Sequence, residues 1–452
     1  MARPTGWTWI RTQIPTTKGL PDTFMIAGNI ISGDLGCGAF YTFNGATPDG
    51  PMAIQDLDGN WCQLLIDSPV NVGYFLAKGD GITDDTSAIQ AAINTGYSIS
   101  FPERTFLMNS NIGFSANGQK LIGVGPQSKI ISPYLGYHVI SCHGTNIGIH
   151  DLQIISTATA GDQGGNALIG LDGGNIDGFE MSGCILSAPT VGLDGLFGKA
   201  HNDSGRLHTT LNNINIHDNC FNTIGRIGTE IINNNDLTSP RVSNVRIGNN
   251  YYNGMTSMGV SISGWAKNVI VHGNNFINCG YGIESAGQND GVAITNNIFE
   301  GVFTSLIALD NSPGTDTFII ANNLTRGTQV TGTFSITGTN GVINGNNFII
   351  TGNLEIANSH SIKISNNTIR TNAVLGLQLD NSHDCIVCSN IIDCSLGTTT
   401  YSGIRCNGAS SINNLIRNNN IYLGSGGTYF DQIGGASGNV FTGNAQGSIG
   451  GL

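Results

Sequence analysis

The chain has 452 residues, of which only 11 % are charged and 39 % hydrophobic, with 65 glycines and a net charge of −12. A patterned apolar fraction with modest charge excludes a disordered chain. The acidic balance leaves no basic stripe to displace counterions from phosphates, which argues against nucleic acid. No apolar run is long enough to cross a bilayer, so membrane insertion is not expected.

Residues 1–72 hold six of the twelve prolines and all but one of the four tryptophans, and lack the asparagine pitch of the later chain. The first 30 residues lack an apolar run of signal-peptide length, so folding in a bacterial cytoplasm is expected. Next comes GDGITDDTSAIQAAIN, residues 79–94. Gly79 to Gly81 suit a turn, Asp84 or Asp85 can cap a helix, and Ile89, Ala92 and Ile93 share one helical face. Such a helix would close the end of a solenoid whose core would otherwise open to water.

From Tyr97 onward the texture changes. Asparagines recur at 219, 250, 275, 297, 323, 347, 367, 390, 419 and 444, a mean step of about 25 residues, within the range of stacked repeats. Each follows a short alternating apolar stretch, as in VIVHGNNFIN and VAITNNIFEG, with no helical period between copies. This predicts an all-β fold, a right-handed single-stranded parallel β-helix over 97–452 of about 14 coils at roughly 4.8 Å each. Asn suits the corner twice over: identical amides can bond in a ladder, and Asn tolerates the left-handed backbone.

With GCGAFYTF (36–43), DLDGNWCQLL (56–65) and PVNVGYFLAK leading into GDGITDDTSAIQAAI, the chain resembles the pectate-lyase-like β-helix superfamily, in its bacteriophage tailspike and capsule depolymerase branch. The match covers about residues 33–96. It departs at Leu76, where that family usually carries Gly. The resemblance implies that residues 1–72 form a small β-rich module that attaches to a phage tail or baseplate protein and that 73–96 open and cap the helix. It further implies a homotrimer, a bacterial surface polysaccharide as partner, and a place in the virion. It also implies that Asp80, Asp84 and Asp85 serve the cap and not catalysis.

Signatures of polygalacturonases and calcium-dependent pectate lyases are missing, so a site must be sought on the coil surface. Alternation along the strands expects Asp194, Glu230, Ser261, Glu284, Ala308, Ser335, Glu355, Gln378 and Arg405 in one outward column, with Asp172, Asp310 and Asp380 at its edge. Three of the six glutamates fall in it. Glycoside hydrolysis uses two carboxylates, about 5–5.5 Å apart for retention and roughly 6.5–9.5 Å for inversion. Asp194, Glu230 and Glu284 are therefore the catalytic candidates. Asp194 and Glu230 would sit one coil apart, and Glu230 and Glu284 two. The same column also reads as a plain solvated face.

An excursion of about 11 extra residues between Asp194 and Glu230 carries His201, Asp203, Arg206 and His208 as a groove wall. Trp265, Tyr281, Tyr251 and Tyr252 offer flat faces for sugar rings. Asp310 completes the binding candidates. His217 and His272 are expected to stack like the asparagines. No metal or other cofactor is expected: the CxxC at Cys385 and Cys388 has no second pair, and no three-histidine set is apparent. A polysaccharide lyase of the same fold remains open, with Arg206 and His208 as its densest base candidates. So does a receptor-binding fibre without turnover.

Overall fold

The computed structural model describes residues 53–64 and 68–447, except 160–165, 172–173, 190–191, 202–208, 235–240, 311–316, 331–333, 396–401 and 424–426. Before residue 53 it describes strand segments and a few single positions. The early strands Thr8–Ile10, Thr23–Gly28, Gly38–Phe43, Ala53–Gln55 and Trp61–Leu64 form a five-stranded, mostly antiparallel sheet.

Beyond it, the described residues wind through three long parallel sheets of 13, 15 and 16 strands. One coil runs Val242–Gly248 on the 16-stranded face, turns at Asn250 into Tyr251–Asn253 on the 15-stranded face, and continues as Met258–Gly264 on the 13-stranded face. The next coil repeats that order in register, Ala266–His272, Asn275–Ile277 and Tyr281–Gly287. This is the expected parallel β-helix. Among the described residues no helix is long and apolar enough to cross a membrane.

Helix α1, Thr86–Ile93, buries Ile89, Ala92 and Ile93. The Asp84 carboxylate accepts from the Thr86 amide at 3.0 Å and caps the helix. The Asp85 carboxylate instead ties down the preceding turn, accepting from the Lys78 and Gly79 amides at 2.7 and 3.0 Å. Asp80 folds onto the amides of Ile82 and Thr83 at 2.9 and 2.7 Å, and those bonds, with Thr83's first, pull its pKa down to about 2. All three carboxylates are thus occupied by the backbone.

The asparagine corner divides its two residues between two tasks. The first sits in the left-handed region, as at Asn249, Asn296 and Asn322 (φ 55°, 57° and 57°). The second is buried, and its amide bonds to the next coil. Where Gly takes the left-handed position, as at Gly273 (φ 66°) and Gly345 (φ 68°), the buried residue becomes the first Asn of the pair. The column therefore runs through Asn274 and Asn346, and not Asn275 and Asn347, which lie exposed on strands.

Inside, Phe221, Tyr252, Phe276 and Phe299 stack ring on ring at 4.6, 5.0 and 5.2 Å between centroids. Tyr252 is 0 % exposed and its hydroxyl lies 3.0 Å from Thr229 Oγ1, so it cannot serve as the sugar platform expected from sequence. A glycine on the 13-stranded face makes room for each ring. A Cβ at Gly228, Gly259 or Gly282 would stand within 2.6 Å of the rings of Tyr252, Phe276 or Phe299, respectively.

Candidate functional site

Those glycines also set the register of the outward column. Counting two residues beyond each gives Glu230, Ser261 and Glu284, and strand pairing continues through Ala308, Glu355, Gln378, Arg405 and Asp431. In the coil below Glu230, however, the equivalent of Gly228 is Gly195, and the residue paired with Glu230 is Phe197. Asp194 is three positions out of the column. Asp194 is therefore not the mate of Glu230: the strand Leu193–His201 keeps the same count from its glycine as its neighbours, and the Asp-Gly step only imitates an acidic outward position.

Asp194 and Glu230 nevertheless meet through a third residue. The Arg226 guanidinium donates from Nε to Asp194 Oδ1 at 2.9 Å and from one terminal nitrogen to both Asp194 and Glu230. Asp194 also accepts from the Ile227 amide at 3.1 Å. Asp194 is 0 % exposed and Glu230 6 %. Burial drives the Asp194 carboxyl upward against the pull of Arg226. One guanidinium serving two carboxylates in a dry setting is a structural clamp. A fully buried Asp194 cannot touch a polymer, contrary to the catalytic role expected of it.

Farther along the column the carboxylates reach solvent. Glu284 is half-buried and accepts from Ser261 Oγ at 2.9 Å. Glu355 is half-buried and takes a hydrogen bond from Gln378 Nε2 at 3.0 Å. Asp380 pairs across from Ala357, one coil up and two residues along from Glu355, and accepts from Asn407 Nδ2 at 2.6 Å. Strand spacing and rise set the two backbones about 8 Å apart, with both side chains on one face. Burial, and then the negative field of Asp380, raise the Glu355 carboxyl above its ordinary range, while the Gln378 bond opposes them. Arg405 and Asp431 follow as an ion pair at 3.0 Å.

Of the other candidates, Tyr281 and Trp265 are half-buried at opposite edges of the 13-stranded face, and the Trp265 carbonyl accepts from Asn233 Nδ2 at 3.0 Å. Tyr251 stays exposed on the 15-stranded face. His201 ends the strand Leu193–His201, and Asp310 ends Ser305–Asp310, opposite Ala286; the side chains of both lie outside the described residues. Asp203, Arg206 and His208 lie wholly outside them, as does Asp172. His217 and His272 do not stack, because Gly248 occupies the intervening coil. Sequence reading did not single out Glu355 and Asp380 as a pair. The signal available was the repeated Leu-x-Ile/Leu strand, with one acid inside it and one at its end.

Among the described residues no group of three or more His, Cys, Asp and Glu is arranged to hold a metal ion. No family model and no curated protein matches the sequence. Solved structures do match. The pre-mature gene product 12 of bacteriophage phi29 is 17 % identical with a TM-score of 0.59, over 84 % of this chain and 52 % of its own. Tailspike protein 3 of bacteriophage CBA120 is 15 % identical with a TM-score of 0.53, over 91 % of this chain and 66 % of its own. The A-module of the mannuronan C-5 epimerase AlgE4 from Azotobacter vinelandii is 16 % identical with a TM-score of 0.51, over 82 % of this chain and all of its own. The chain thus spans about half the length of the phi29 protein. At such identity the likeness speaks for architecture: the chain is a right-handed parallel β-helix protein, with the fold that phage tailspikes share with the epimerase module.

Proposed function

We propose that this chain belongs to a phage tailspike and binds and cleaves a bacterial surface polysaccharide along its 13-stranded face. The observation that carries the reading is the pairing of Glu355 with Asp380: two accessible carboxylates on neighbouring coils, one with its pKa raised by burial and by the other's charge. A carboxyl whose proton affinity its surroundings raise suits the acid role beside a second carboxylate. In an inverting hydrolysis Glu355 would give its proton to the glycosidic oxygen while Asp380 takes one from the attacking water. Glu284, three coils away on the same column, would then contact the bound polymer, with Tyr281 at the edge of the same face. Attachment of the early β-sheet module to a phage tail and assembly as a trimer belong to the same proposal and draw on the family resemblance.

The test is incubation with a panel of capsular and O-antigen polysaccharides, scored for new reducing ends and for unsaturated sugars. Reducing ends without unsaturation support hydrolysis, and Glu355→Gln and Asp380→Asn should each lower the rate at least about 100-fold. Unsaturated ends would replace hydrolysis by elimination. Binding without either product would make the chain a recognition fibre. Parental rates in both variants would overturn the site.

A further inference from the structure

The 16-stranded face carries a second cluster of ionisable side chains that the acidic column does not use. Pairing puts Lys120, Gly148, Glu180, Asn215 and Arg246 in one outward column, and His150, Ser182, His217, Gly248 and His272 in the column beside it. At its lower end Glu180 gathers the neighbouring basic groups around one carboxylate. Glu180 lies 3.2 Å from His217 Nε2, 3.8 Å from Lys120 Nζ and 4.0 Å from His150 Nε2, and His217 Nδ1 is 2.7 Å from Asp218.

One coil higher the balance breaks. Gly248 has no side chain between His217 and His272, which leaves a notch lined by Asn215, His217, Arg246, Asn249 and His272. The His272 ring leans into it: a Cβ on Gly248 would stand 2.4 Å from His272 Nε2. Two of the lining residues each carry a polar atom, His272 Nε2 and Asn215 Oδ1, that is shielded from solvent without a hydrogen-bond partner. Buried polar atoms are almost always paired, so two orphans in one notch point to a ligand. Arg246 is exposed, and no carboxylate among the described residues forms an ion pair with it.

We propose that this notch is a second glycan subsite, which takes the carboxylate of an acidic sugar unit, a uronate, on Arg246, with Asn215 and His272 bonding to hydroxyls of the same unit. A planar carboxylate matches the guanidinium fork, and sugar hydroxyls both donate and accept, as an amide oxygen and an imidazole nitrogen require. The notch lies on a different face from Glu355 and Asp380, so it does not depend on the cleavage chemistry. It favours polymers that carry uronic acid.

The test is an NMR titration of the His217 and His272 imidazole signals with an oligoglucuronate, with a neutral oligoglucose of equal length, and with inorganic phosphate. The expected result is a saturable shift with the oligoglucuronate alone. Arg246→Gln, at an exposed position where the fold is not at stake, should weaken it about tenfold. Lys363→Gln, farther along the same outward column, should leave it unchanged. Equal shifts from the neutral sugar or from phosphate would overturn the uronate assignment, as would undiminished binding by Arg246→Gln. Glu355→Gln should bind as the parent does, which separates failure of this subsite from failure of the cleavage reading.

Discussion

Asn250 Oδ1 accepts two hydrogen bonds from Asn219, one from its backbone amide and one from its side-chain Nδ2, both at 3.0 Å. Asn250 passes the same pair upward to Asn274 at 2.9 and 3.1 Å, and Asn274 to Asn297 at 3.0 Å each. Each Nδ2 also donates to a strand carbonyl of the coil below, as Asn274 does to Ile247 at 3.0 Å. Every buried amide in this run is satisfied by a copy of itself.

Asn274→Ala would strand the Asn250 amide, its Nδ2 and the Ile247 carbonyl in a dry corner. The expected cost is about 2–4 kcal/mol, since each buried group left unmatched costs about 1–3 kcal/mol. Asn275→Ala, one residue along and exposed, should stay within about 0.5 kcal/mol. Urea unfolding of the two variants distinguishes the ladder residue from its neighbour. Equal losses would move the ladder back to Asn275.

Leu76 closes the short 3-10 turn Val72–Phe75 in the left-handed region, φ 73° and ψ 16°, with its side chain 53 % exposed. A leucine there strains against its own carbonyl by about 1–2 kcal/mol, and little packing offsets it. Leu76→Gly should therefore raise stability by about 1 kcal/mol, the gain from relieved strain less the added freedom of the unfolded chain. A calorimetric melting temperature equal to or below the parent's would refute this.

The ladder and the Leu76 turn show which features a sequence makes legible. Coil pitch, the corner and the capping helix were readable because each repeats or has a local physical cause. Strand alternation also placed Glu230, Ser261, Glu284, Glu355, Gln378 and Arg405 in one column. Where a glycine takes the left-handed corner, as at Gly273 and Gly345, the ladder shifts by one residue against the Asn-Asn pattern. Asp194 misleads for another reason: its acid precedes the strand glycine, whereas Glu230 and Glu284 follow theirs by two residues. Tyr252 failed differently: Tyr251-Tyr252 on a strand must send one ring inward, and only the stack of Phe221, Phe276 and Phe299 says which. The acid pair stayed hidden because its signature is electrostatic and depends on how far each side chain reaches solvent.

Arg226 holds two carboxylates, one of them fully buried. Arg226→Ala would leave Asp194 without its counter-charge in the interior, at an expected cost of about 3–5 kcal/mol. Adding Asp194→Asn should recover part of that loss, because the uncompensated charge is then gone. Chemical denaturation of the single and double variants tests this. A double variant no more stable than the single one would show that the clamp acts by packing and not by charge.

The two histidines beside the uronate notch should titrate on opposite sides of the ordinary histidine value of about 6.5. Burial works to lower His217, but the hydrogen bonds and charges of Asp218 and Glu180 outweigh it and raise its pKa. Burial and then the charge of Arg246 lower His272. A raised value means that His217 contributes stability below its unfolded pKa, and that this is lost as pH rises through the folded one. For His272 the sign reverses: its contribution is present above the unfolded value and is lost as pH falls through the depressed one. NMR titration should place the His217 midpoint above that of His272, and Asp218→Asn should bring the two closer together. Coincident midpoints in the parent protein would show that the ion pairs of His217 do not persist in solution.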